Sequence, residues 1–290
     1  MPPINLIKPA GQGVFFSYGL KLPAEWSDPS GDPDAQHYSD SLKPEEKVAT
    51  PKLIPPWFMP RNMNKYHQQS CDEVGQIYKD IHDGMLDAFA YAHGLWKAQA
   101  KFKDLIINAV TAVGAPGCLD GPELESNMKN APSCAAWTDG KAKHRDAIAK
   151  GVSKCFKDWQ GMVTVPGLPW YPAFAAFPGP MAPPMPNVPT PLVACVSGQL
   201  TAMATPNMMK SEMDSALDGS IKDNDPEKHY EALHMAIATV ISAGFMIWLP
   251  MQQVIGVLGK GPVPSFAPPY VPVGPVVMGD NIATPGHLMT

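Results

Sequence analysis

Charge is scarce in this chain. Only 17% of its 290 residues are Asp, Glu, Lys or Arg, the net charge is −5, and no Lys/Arg-rich run occurs. Nucleic-acid binding needs a concentrated cationic surface to neutralise phosphates, so nucleic acid is not expected as a partner. Long apolar runs are missing too. The longest, Met235 to Leu249, stops at Pro250 and falls short of the roughly 18–20 residues that cross a bilayer as a helix. It reads as a buried helix, and a membrane partner is not expected. The opening residues, Met1 to Phe16, lack the basic-then-apolar order of a secretory signal.

Motifs that carry chemistry are equally sparse. The five cysteines are Cys71, Cys118, Cys134, Cys155 and Cys195, with no CxxC pair, so a zinc knuckle is not expected. Cys118 and Cys134 bracket a polar loop and could form a disulfide in an oxidising compartment; the alternative is a set of small buried thiols. Ser197-Gly198 sits in no GxSxG context, and the glycine run from Gly256 ends at Pro262 instead of opening a helix. Asp80, Asp83 and Asp87 share one helical face with His82 and His93 nearby, but no HExxH or ExxH pairing is present. That face reads as solvated. His144 and His229 fall in first turns of expected helices and read as surface groups. Asp214, Asp218, Asp223 and Asp225 lack the spacing and terminal Glu of a calcium loop. No catalytic residue, metal ligand or cofactor is assigned, and no enzymatic activity is expected.

What the chain has in excess is proline and glycine, 34 and 24 residues, and they cluster. Residues 1–63 are punctuated from Pro9 to Pro60 and predict an extended or looped arm. The arm also carries Trp26, Trp57 and Phe58, aromatics that are costly to leave in water and that mark it as surface-docking. From Asn64 to Val113 there is no proline. Apolar residues from Val74 to Val113 recur about every 3.5 positions, the spacing of a narrow helical seam. A single long helix is predicted over 64–113, in a helical region 64–163 with a further helix over 141–163.

A second proline-rich arm, 164–204, contains Trp170-Tyr171. A second helical region, 205–260, should hold helices at 206–218, capped by Thr205 with Pro206 in the first turn, and at 225–248. A third arm, 261–290, contains Phe266 and Tyr270. Trp170, Tyr171, Phe266 and Tyr270 join Trp26, Trp57 and Phe58 as expected contacts to partner subunits. Lys143-His144 and Lys228-His229 lie 85 residues apart, as do Ala182-Pro183-Pro184 and Ala267-Pro268-Pro269, which suggests a duplicated helix-then-arm unit. The expected fold is mainly α: a long helix and a helical bundle with extended proline-rich arms and little regular sheet.

The run from Gly261 to Val277, GPVPSFAPPYVPVGPVV, with Met278-Gly279-Asp280-Asn281 after it, resembles virion proteins of large T4-like contractile-tailed bacteriophages. The stretch Pro172 to Leu192 is similar in character. The resemblance implies a structural subunit of a tail or baseplate, located in the virion, with other protein subunits and copies of itself as partners. The alternatives are a bacterial cytoplasmic location, or a membrane-active or secreted effector that inserts 235–258. Residues 279–287 also resemble, faintly, the GD…GH runs of the small cones that tip phage spikes; no function is taken from this.

Overall fold

The proline-free stretch is helical only as far as Gln99. The computed structural model describes residues 4–20, 65–266 and 273–289. Its helices are α1 (Ile4–Tyr18), α2 (Lys65–Gln99), α3 (Leu124–Lys129), α4 (Asp139–Gly161), α5 (Leu200–Ala204), α6 (Pro206–Ala216), α7 (Gly219–Asp223) and α8 (His229–Met251). The strands are β1 (Lys101–Phe102), β2 (Ile106–Asn108), β3 (Thr111–Gly114), β4 (Leu119–Asp120), β5 (Val163–Pro169) and β6 (Met181–Pro186). After them come β7 (Thr190–Pro191), β8 (Val196–Ser197), β9 (Gln253–Val254), β10 (Leu258–Pro262), β11 (Asp280–Ile282) and β12 (Leu288–Met289).

At 53% helix and 20% strand among the described residues, with several small antiparallel sheets, the protein is mixed α/β, which corrects the mainly α expectation. The physical reason lies in residues 100–114. Their apolar positions fit a 3.5-residue spacing, but the stretch is dense in β-branched residues and is broken at Asp104 and Ala109, both with positive φ (55° and 52°). Ala109 and Val110 turn β2 back onto β3, pairing Ile106 with Val113 and Asn108 with Thr111. Ile106 and Val113 therefore face solvent while Ile107 and Ala112 are buried, the alternation of a strand.

Within α2 the buried face comprises Ile81, His82, Met85, Leu86, Ala88, Phe89, Ala92, His93 and Trp96. This is the broad apolar stripe of a helix inside a globular core rather than a narrow seam. Ile77, expected on the seam, is exposed.

The N-terminal arm also departs from expectation. Residues 4–18 form α1 despite Pro9, packed against α2 and α8. Trp26, Trp57 and Phe58, like Tyr270, lie outside the described residues.

The later proline-rich segments form strands on their own chain. Strand β10 lies between β11 and β6, with Leu258 opposite Pro186 and Pro262 opposite Met181. Pro183, Pro184 and Pro186 sit on β6, the outer strand of that sheet, where a residue without N–H costs no ladder bond. Strands β2, β3, β5 and β8 make a second sheet, β12, β9 and β7 a third, and β1 pairs with β4. Asparagines stitch these segments together. Buried Asn187 donates to the carbonyls of Val188 and Val254 and accepts from Val257 N (2.8–2.9 Å).

The helix expected over 225–248 begins at His229, because Lys228 has a left-handed φ of 57°. Asp225 instead accepts the Tyr230 N–H from outside the helix, at 3.0 Å. Helix α8 is buried along nearly its whole length. The apolar window that would have served for membrane insertion is 72% enclosed by the protein itself. Helix α4 crosses α6 at Gly151, where an added Cβ would lie 2.6 Å from Met213 N and 2.8 Å from Met213 Cα. Backbone atoms cannot yield there, so Gly151→Ala should lower stability by about 1–3 kcal/mol. Gly94 on α2 has open space around its Cβ position, and Gly94→Ala should raise stability by about 0.5–1 kcal/mol. Urea unfolding midpoints of the two variants check this; equal shifts would contradict the crossing geometry.

Candidate interaction surface and buried polar cluster

Several of the exposed apolar groups lie where α8 ends. Met246, Ile247, Pro250 and Met251 fall at i, i+1, i+4 and i+5, one outward face of the last turns, with Ile247 48% and Met251 61% exposed. The inward side of the same turns carries Phe245, Trp248 and Leu249, all buried. The turn at residues 192–194 packs against α8 and is tied to it by Leu192 N donating to Gln252 O (2.7 Å). It adds exposed Val193, and Val196 and Met162 follow on the paired chain beside it. Methionines adapt their shape to a partner, and exposed apolar groups grouped in this way are characteristic of contact surfaces.

Beneath this face lies an aromatic cluster. The rings of His93 and Trp248 meet edge-on at 4.6 Å and 88°, Trp96 and Phe156 at 4.8 Å and 83°, and Trp159 and Phe245 at 4.9 Å and 78°. These are the arrangements that the ring quadrupole favours. The Trp96 indole donates to Gln160 Oε1 at 2.7 Å. The cluster fixes the last turns of α8 and so aims their outward side chains.

The chemistry-bearing groups face inward. Cys118, Cys134, Cys155 and Cys195 are buried free thiols. The pair proposed for a disulfide is held apart, Cys118 donating to Val163 O (3.4 Å) and Cys134 to Met128 O (3.1 Å). Burial pushes the thiols up, Cys118 to about 11 and Cys155 and Cys195 to about 12, so they are protonated and unreactive.

His144 and His229, read from sequence as surface groups, are also buried, and their roles differ. His229 meets Asp225 at 2.7 Å, while His144 stacks edge-on against fully buried His234. The His234 Nδ1–H donates to Asp214 (2.7 Å), which also accepts from Lys210. Burial favours neutral imidazole, lowering His93 to about 3 and His144 to about 4. Asp214 and Asp225 are thus spent on histidines, Asp218 caps α7, and no group among the described residues is arranged to hold a metal.

The acidic face of α2 is engaged as well. Asp80 pairs with Lys141, Asp87 with Lys8, and Asp83 bonds His82, Lys79 and Gln12. Burial alone would raise the Asp83 carboxyl, but those bonds outweigh it and hold it well below the carboxylate range.

Of the partner contacts expected from sequence, Trp170 is buried in its own chain, donating to Met185 O (3.1 Å), and Phe266 packs on the core. Tyr171 is exposed. Asn281 and His287, from the GD…GH run, are anchors for the chain near residue 100. Asn281 bonds Leu105 N and Phe102 O, and His287 Nδ1 accepts from Phe102 N. An accepting Nδ1 requires neutral imidazole, and burial lowers His287 to about 4.

His93, His144 and His287 carry ordinary values near 6.5 when unfolded and lower ones when folded. Below pH 6.5 the unfolded chain takes up protons that the native chain refuses. Their stabilisation is therefore complete above pH 6.5 and drains away as pH falls toward 4, by roughly 3 kcal/mol for a shift like that of His144. Urea midpoints measured from pH 8 to 4 should show this fall, and His144→Gln should flatten part of it; a pH-independent midpoint would contradict the buried neutral state. No protein-family model, no curated protein and no solved structure matches this chain.

Proposed function

We propose that this protein is a non-catalytic subunit of a larger assembly, and that its first partner is another copy of itself. The observation that carries the reading is the opposite orientation of chemistry and apolarity at the surface. Among the described residues, Cys118, Cys134, Cys155 and Cys195 are enclosed and protonated and His93, His144 and His287 are enclosed and neutral, whereas Met246, Ile247 and Met251 are held outward at a helix end. A face of that kind associates by excluding water, without a reactive group. The resemblance of residues 261–281 to virion proteins supports a contractile-tailed phage particle as its setting. Contact through the 164–192 arm is not part of the proposal, because that arm is folded onto its own chain.

Light scattering on the size-exclusion peak tests this. The full chain should run as an oligomer whose mass rises with concentration, and Ile247→Asp combined with Met251→Lys should weaken association at least tenfold, about 1.4 kcal/mol. A monomer across the whole concentration series would sink the proposal.

A further inference from the structure

The described sulfur atoms are sorted by depth. The thiols of Cys118, Cys134, Cys155 and Cys195 are buried, and burial raises each of them. Oxidants attack the exposed thiolate, so these groups are out of reach. The thioethers of Met85, Met128, Met203, Met209 and Met213 are equally enclosed. At the end of α8 the order is reversed. Met246 and Met251 stand outward on its last turns, 44% and 61% exposed, and Met162, just past the end of α4, is 41% exposed. Trp159, in the last turn of α4, packs its ring against Phe245 and Trp248. The two helix ends are thereby fixed to one another, and the three thioethers border one surface. Even Cys195, between exposed Val193 and exposed Val196, is itself buried, so the sulfur that solvent meets on this face is thioether.

A thioether needs no proton loss to react. Its lone pair attacks one oxygen of a peroxide, the O–O bond breaks and an S–O bond forms. The departing oxygen takes up the proton of the oxygen that was transferred and leaves as water. Sulfur gives up two electrons and the peroxide accepts them. The sulfoxide is polar and accepts hydrogen bonds. The other side chains of the face, Ile247, Pro250, Val193 and Val196, carry no donor for it. On a free subunit water solvates the new oxygen. Covering the face with a second copy strips that water away and leaves a buried acceptor without a partner, which opposes association.

We propose that Met162, Met246 and Met251 make self-association sensitive to peroxide: oxidised on the free subunit they block it, and covered within the assembly they are shielded. The proposal rests on the self-assembly reading above and adds its regulation.

Hydrogen peroxide is the probe, applied to the full chain with Cys71→Ser so that this thiol plays no part. The chain is treated while dilute, freed of peroxide, concentrated and measured by light scattering. Association should weaken at least tenfold, and methionine sulfoxide reductases with a dithiol should restore it. A chain with Met162→Leu, Met246→Leu and Met251→Leu keeps the apolar face without oxidisable sulfur, and the same dose should leave its association unchanged. Its exposed Met181, Met208 and Met278 still react, which controls for oxidation elsewhere. Treated while concentrated, the unsubstituted chain should form sulfoxide at 162, 246 and 251 at least fivefold more slowly than while dilute, relative to 208 and 278, as read by peptide mass spectrometry. Undiminished association with sulfoxide present at 246 and 251, equal loss in the leucine chain, or equal oxidation rates at the two concentrations each overturn the switch. Light scattering on the untreated chain separates the failures: an oligomer indifferent to oxidation leaves self-assembly standing, and a monomer at every concentration removes both.

Discussion

The structure depends on one requirement: α8 is apolar on nearly every side and must be enclosed. A helix of that composition is stable in water only if other elements cover it all round. Helices α1, α2 and α6 lie against it, and its last turns are locked by the rings of His93, Trp96 and Trp159. The small sheets built from the proline-rich segments close the remaining end, with Gln253 and Val254 pairing to both β7 and β12. Even the outward apolar side of Ile247 follows from this, since a side chain on a helix so firmly held cannot turn inward.

Much of the helical part was legible in the sequence. The Met235–Leu249 run announces α8, Thr205-Pro206 marks the start of α6, and the proline-free stretch locates α2. The strands were not legible, for identifiable reasons. Residues 101–114 satisfy a 3.5-residue spacing, and only the backbone turns at Asp104 and Ala109 break it into strands. The proline-rich segments read as arms because prolines oppose regular structure. They are tolerated on β6 because it is an outer strand, and its pairing with β10 is a long-range choice that no local pattern reveals.

The polar side of the structure was the least legible. His144 and His229 occupy positions where helices usually meet water, and the acidic row of α2 looks like an ordinary solvated face. Their partners come from distant segments: Asp214 for His234, Lys8 and Lys141 for the aspartates of α2. His93, His144 and His234, kept neutral by burial, and Asp80, Asp87 and Asp214, each paired with a base from another helix, join helices that apolar packing alone would leave free to slide. Asn187 and Asn281 do the same for the strand segments, supplying side-chain partners to backbone groups outside the ladders.

The bonds from Asn281 and His287 back to Phe102 and Leu105 set the order in which the protein can be completed. Phe102 N finds the His287 ring 185 residues further along the chain. At synthesis rates of ~5–20 residues per second, that wait is on the order of ten seconds or more. During it, strand β2 lacks its bridge to Gly279 and β1 its capping imidazole, while α2 and α4 are already made. The first half of the chain must therefore leave the ribosome with its strand edges open. Residues 279–287 act as the clasp, and a nascent chain stalled before residue 279 would lack the groups that close it.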